Sequence, residues 1–106
     1  VQPLRGEVWD VALPRIGEHP GVVLTVNALR GRIQEVTVVL VTGTAGPAVT
    51  HVPVGGEAGL TRYPESYVCA TTIVTVPSGR LRRRRGLLAA AELAAVEDAV
   101  RTVLGL

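Results

Sequence analysis

Most of this chain reads as short apolar, strand-like segments separated by Pro- and Gly-rich breaks, and its last eighteen residues, from Ala89, change to a helical period. Gly6 to Leu13 reads as a strand with Val8, Asp10 and Ala12 on one face and Glu7, Trp9, Val11 and Leu13 on the other. The set containing Trp9 is the one expected to point inward. Two prolines and Gly17 within Pro14 to Pro20 predict a loop, and Gly21 to Val26 resumes as a strand. Asn27 to Arg32 predicts a polar turn or a single helical turn. Glu35 to Thr42 is almost continuous in β-branched residues, as suits a central strand covered on both faces, and Gly43 to Pro47 ends it.

The pattern continues with a strand over Val49 to Val54, which carries His51 on the face of Val49 and Pro53. Gly55 to Pro64 is the longest loop, and Glu65 to Val76 holds one or two further strands. Pro77-Ser78-Gly79 turns the chain into a last, Arg-rich strand from Arg80 to Leu88. From Ala89 onward, Leu93, Val96, Val100, Val103 and Leu104 line one helical face, and Glu97 stands four residues before Arg101 as an expected ion pair. No Ser, Thr, Asp or Asn precedes this helix, so its first turn is expected to fray or to be held by packing. The reading is a mainly β chain with a C-terminal helix, a small SH3-like barrel spanning 1–106 as one domain.

Composition narrows this picture. A chain of 106 residues has room for one modest core, and with no Phe and only 3% aromatic residues that core is built of Val, Leu, Ile and Ala. All eleven basic residues are Arg, a usage that fits either codon bias or bidentate phosphate binding. The net charge of +2 permits nucleic acid as a partner without requiring it. Cys69 is the only cysteine, which excludes an intrachain disulfide and the metal sites that need several thiols. No apolar run is long enough to span a membrane and no charged leader precedes one, so a cytoplasmic protein is expected; the chain starts without Met, as if a few residues had been trimmed.

The order of short motifs resembles one family over nearly the whole chain. Arg5-Gly6-Glu7-Val8-Trp9 looks like the opening R-G-[DE]-[IV]-[WY] of the MazF/PemK toxins of toxin–antitoxin systems, and the barrel expected is of the MazF/CcdB type. His19-Pro20-Gly21-Val22-Val23-Leu24 resembles their R-P-[AV]-V-V-[LI] segment, and Val39-Leu40-Val41-Thr42 their V-x-[PV]-[LV]-T strand end. Gly59-Leu60, Glu65-Ser66-Tyr67-Val68, Val74-Thr75-Val76, Arg80-Leu81, Gly86-Leu87-Leu88 and Ala91-Glu92-Leu93 through Leu104-Gly105-Leu106 follow in the family's order.

The resemblance implies a metal-independent endoribonuclease, without a cofactor, that cuts single-stranded RNA at short sequences. It also implies a homodimer neutralised by a cognate antitoxin with an acidic or apolar C-terminal tail. In the family, the Arg before the Pro of the second strand and the Thr ending the third form the reaction centre, where the 2′-hydroxyl attacks the adjacent phosphorus and leaves 2′,3′-cyclic phosphate and 5′-hydroxyl ends. Thr42 matches the Thr, and His19 stands where the family has Arg. The candidate catalytic pair is therefore His19 and Thr42, with Arg15, Gly43, Thr44 and Arg62 as candidate RNA contacts.

Chemistry gives the substitution a meaning. Arg supplies fixed charge and a bidentate fork, whereas His supplies charge only when protonated but suits proton transfer near neutrality. An imidazole at position 19 doing acid–base work, with Arg15 contacting phosphate, predicts a pH-sensitive enzyme; a weakened or inactive homologue is the alternative. The same fold also serves toxins that act on DNA gyrase by protein contact alone. A non-catalytic RNA-binding platform would need stacking aromatics, and only Trp9, Tyr63 and Tyr67 are available.

Other polar residues have structural readings of their own. His51 is expected to pack rather than to catalyse, and Glu65 to serve a turn or dimer contact. Thr71-Thr72 stands where the family often has Asp-Gln or Ser-Gln. Arg82 to Arg85 must send two side chains to each face of their strand, as a solvated edge or as a contact for RNA phosphate or an acidic antitoxin tail.

Overall fold

The computed structural model describes residues 2–60 and 65–106, so Arg62, expected to contact RNA, and Tyr63 lie outside the described residues. Six strands run in chain order: β1 (Glu7–Leu13), β2 (Gly17–Val23), β3 (Glu35–Thr42), β4 (His51–Val54), β5 (Ser66–Pro77) and β6 (Leu81–Leu87). One helix, α1 (Ala90–Leu104), follows them. The strands form a single antiparallel sheet in the order β4-β5-β3-β2-β1-β6. Register shifts between β1 and β6, and between β3 and β5, bend it. β5 is one long strand whose C-terminal part pairs with the start of β3, while its N-terminal part pairs with both the end of β3 and β4.

The bend explains why both faces of β1 are covered. On one face Val8, Val22, Val39, Val41 and Val68 pack against Val96 and Ala99 of α1. On the other, Val11, Leu13, Val23, Val38 and Leu40 meet Val76 and Leu81, so the sheet folds over its own apolar side chains without a second helix. The result is barrel-like but unclosed, with β4 and β6 left as edges. The expected inward set on β1 is thus half of the answer. Val8 is as fully buried as Val11, Asp10 is buried beside it, and Trp9 is only half-buried.

The predicted loop Pro14–Pro20 shrinks to the turn at residues 14–16. Leu13 pairs directly with Gly17, and Asp10 with Pro20. β3 joins β2 only from Gly21 onward, so one side of Gly17–Pro20 carries no ladder and a residue without an N–H is tolerated there. The turn places Arg15 at φ 69, an unusual left-handed backbone for a side chain. The strand predicted over Gly21–Val26 ends at Val23, and a short 3₁₀ turn over Asn27–Leu29 meets the expected helical turn.

α1 is held by a device that a search for capping residues does not see. Glu92 accepts the Ala89 N–H on Oε1 at 2.8 Å and the Gly55 N–H on Oε2 at 2.6 Å, tying the first turn to the loop after β4. The buried stripe is narrower than predicted: Val96 and Ala99 are buried, while Val103 and Leu104 are exposed. Glu97 does not pair with Arg101. Arg5, just before β1, reaches it at 2.7 Å, and Arg101 pairs with Asp98 at 3.0 Å. No helix of the described residues is long and apolar enough to cross a membrane.

Candidate functional site

A cleft of about 370 Å³ opens where β2 and β3 part from each other, beyond their Gly21–Leu40 pair. β2 contributes Glu18, His19 and Pro20, and the end of β3 contributes Val41 and Thr42 with Gly43 and Thr44 beyond it. Leu60, Ser66, Asp10 and Arg85 complete the lining. His19 and Thr42, distant in sequence, therefore face one cavity, and Gly43 and Thr44 join them. Arg15 does not: it is exposed at the hairpin tip, beyond the strand that carries His19.

The local chain explains these positions. His19 lies opposite Val11 in the β1–β2 ladder, so it sits on a strand rather than in the loop that the prolines predicted. Thr42 is the last residue of β3, paired with Tyr67 on β5. Its Oγ1 accepts the N–H of Thr44 at 3.2 Å, which folds the chain back over the strand end and leaves the hydroxyl hydrogen to donate.

Asp10, Glu18, Ser66 and Arg85 line the cleft but were not among the candidates. For two of them a signal existed. Asp10 shares a face with Val8 and Ala12, and a buried carboxylate there requires cations. Alternation in the Arg82–Arg85 run places Arg83 and Arg85 together, and both reach Asp10. Arg85 Nη1 lies 2.9 Å from Asp10 Oδ1, and Arg83 Nε lies 3.5 Å from Oδ2. Arg85 Nη2 also donates to the Gly59 carbonyl at 2.8 Å. Gly59 has φ +74, and its ideal Cβ would fall 1.9 Å from the Arg85 carbonyl oxygen, so only glycine permits this approach.

On the opposite face Arg84 pairs with Glu7 at 2.7 Å. Burial pushes the Glu7 carboxyl up, but the Leu4 N–H, the Arg84 guanidinium and the Trp9 indole N–H together outweigh it and hold the group below its ordinary value. The arginine run is thus partly structural: three of its four members hold two buried acids, and Arg82 is exposed.

The remaining candidates sit outside the cleft. The His51 ring meets Tyr67 edge-on at 6.3 Å, with Nδ1 2.8 Å from Thr50 Oγ1, and Gly46 lies against its face. Glu65 accepts the Tyr67 phenol, a bond that raises the phenol's pKa. Burial raises the Cys69 thiol's pKa, but hydrogen bonds from Thr71 and Thr72 leave it lowered overall. Among the described residues no three His, Cys, Asp or Glu side chains cluster to hold a metal ion.

A strand-borne His and a strand-terminal Thr in one cleft, within this sheet order, accompany a family-model match over residues 4–104 to the PemK-like, MazF-like toxins of type II toxin–antitoxin systems. The chain belongs to the PemK/MazF family. A mycobacterial endoribonuclease superposes with TM-score 0.86 at 29% identity, covering 100% of this chain and 94% of the other. A mycobacterial endoribonuclease in complex with its cognate antitoxin gives 0.87 at 30% identity, over 98% and 96% of the two chains. The Mycobacterium tuberculosis toxin MazF-mt6 gives 0.84 at 28% identity, over 94% and 97%. No match was found among curated protein sequences. This PemK/MazF chain thus shares its fold with named endoribonucleases from end to end.

Proposed function

We propose that this PemK/MazF chain is a metal-independent endoribonuclease toxin of the cytoplasm, acting as a homodimer of single-domain chains on single-stranded RNA and restrained by a cognate antitoxin. The convergence of His19 and Thr42 in one cleft is the observation that carries the reading. The family and the endoribonucleases among its structural neighbours support the reaction class, and the neighbour bound to its antitoxin supports the partner. The antitoxin's tail is acidic or apolar, to suit an Arg-rich, Val-rich toxin.

The chemistry follows from the side chains. A neutral His19 ring nitrogen takes the proton of a ribose 2′-hydroxyl, and the 2′-oxygen bonds to the adjacent phosphorus. The bond from phosphorus to the 5′-oxygen breaks, and that oxygen takes a proton from water in the open cleft. The products are a 2′,3′-cyclic phosphate and a 5′-hydroxyl. The Thr42 hydroxyl, with one lone pair engaged by the Thr44 N–H, donates to a non-bridging oxygen as negative charge builds on it.

The test is to incubate the protein with mixed-sequence RNA in EDTA and to map the ends. Discrete cuts bearing 5′-hydroxyls, lost in Thr42→Ala and altered in His19→Ala, are the expected result. RNA that stays intact at high protein concentration overturns the reading in favour of an inactive or gyrase-directed toxin.

A further inference from the structure

Phosphoryl transfer within RNA is helped by a cation at the phosphate beside the Thr42 hydroxyl, and a neutral imidazole at position 19 cannot supply one. Among the described residues lining the cleft, Arg85 is the one permanently charged cation. We propose that Arg85 is the phosphate-contacting catalytic residue of this chain, delivered from β6 to the cleft that His19 and Thr42 share. The assignment rests on the ribonuclease reading above.

Three observations carry it. First, the guanidinium is fixed: Asp10 holds Nη1 at 2.9 Å and the Gly59 carbonyl holds Nη2 at 2.8 Å, and the side chain is only 19% exposed. These bonds use one hydrogen on each nitrogen, and a guanidinium carries five N–H donors, so an anion can still be bound. Second, Asp10 does not cancel the charge. Its other oxygen faces Arg83 at 3.5 Å, so one buried carboxylate is divided between two guanidinium groups. Third, the glycine-enforced approach of residue 59 to the Arg85 backbone, at the same point as the Arg85 side-chain bond to the Gly59 carbonyl, fixes the donor's position before substrate arrives.

The remaining ionisable groups of the cleft oppose a phosphate rather than attract it. Glu18 and Asp10 are acids, and His19 adds charge only when protonated. Arg85 therefore supplies a fixed charge over the pH range in which His19 must be neutral to act as base.

The probe is inorganic phosphate, titrated into the full chain at pH 8 and followed by NMR of arginine side-chain and backbone N–H groups. The expected result is a saturable shift of Arg85 Nε together with the Thr42 and Gly43 amides. Arg82→Gln, an exposed arginine of the same strand, is expected to leave those shifts unchanged. Arg85→Gln is expected to weaken phosphate binding about tenfold, and Arg85→Lys, which keeps a cation, by less. In the RNA assay Arg85→Gln is expected to lower kcat by about a hundredfold, with partial rescue by Arg85→Lys.

Unaltered phosphate shifts at Thr42 and Gly43 in Arg85→Gln, or no saturable shift in the parent protein, overturn the assignment. So does RNA cleavage by Arg85→Gln at the parent rate, which leaves the ribonuclease reading standing. Uncut RNA combined with Arg85-dependent phosphate binding has the opposite meaning: the anion site stands and the ribonuclease reading falls. If Arg85→Gln does not fold, the parent protein decides: phosphate that shifts the Thr42 and Gly43 amides while the Arg85 Nε signal stays unmoved overturns the assignment.

Discussion

Arg5 and Glu97 are separated by 92 positions and meet at 2.7 Å, joining the segment that leads into β1 to α1. Both side chains are only 27% exposed, and Nε reaches the same carboxylate oxygen at 3.1 Å. A double-mutant cycle with Arg5→Ala and Glu97→Ala, read by urea unfolding, is expected to give a coupling of about 0.5–1 kcal/mol. The same cycle on Arg101 and Asp98, which are exposed, is expected to give less.

Gly17 and Gly59 both have left-handed backbones, at φ +88 and +74, but differ in their surroundings. No atom lies within 4 Å of a Cβ at position 17, whereas one at position 59 would overlap the Arg85 carbonyl. Gly17→Ala is expected to cost about 1 kcal/mol from backbone strain alone. Gly59→Ala is expected to cost more and also to lower RNA cleavage, because the chain must move away from Arg85. Equal melting temperatures for the two variants would show that the close approach has no energetic consequence.

Glu7 links stability to acid. Its folded-state pKa lies below its unfolded value, so its contribution is present above about pH 4.5 and is lost as pH falls through the folded value. Glu7→Gln is expected to be less stable than the parent at pH 7 by about 1–3 kcal/mol, since Arg84 loses its partner. The gap is expected to narrow between pH 5 and 3 in chemical denaturation. A gap of constant size across that interval would refute the assignment of Glu7 as a carboxylate stabilised by its donors.

Glu92→Ala removes the acceptor of two amides at once. The expected loss is about 1 kcal/mol, with faster hydrogen exchange confined to Ala89 and Gly55.

What the sequence made legible follows the range of each signal. The β-branched run of β3 and the helical period after Ala89 are local, and the structure returns both, with α1 at Ala90–Leu104. The Thr42 strand end was readable because β3 stops at Gly43. The Pro14–Pro20 segment reads as a loop but is half strand, because the tolerance for Pro20 depends on where β3 begins to pair with β2, which no local pattern records. The partner of Glu97 escapes local patterns for the same reason: spacing points to Arg101, and the fold brings the distant Arg5 to it instead. Arg85 stood in view within an arginine run, but its place in the cleft depends on the β1–β6 register that sets it beside Asp10.

The most direct test of a His19–Thr42 ribonuclease centre is the initial rate of mixed-sequence RNA cleavage in EDTA from about pH 5 to 8, the range in which an imidazole changes charge. The rate is expected to vary with pH in the parent protein, to flatten in His19→Arg and to vanish in Thr42→Ala. A parent rate that stays level across that range, or cleavage that survives in Thr42→Ala, would contradict it.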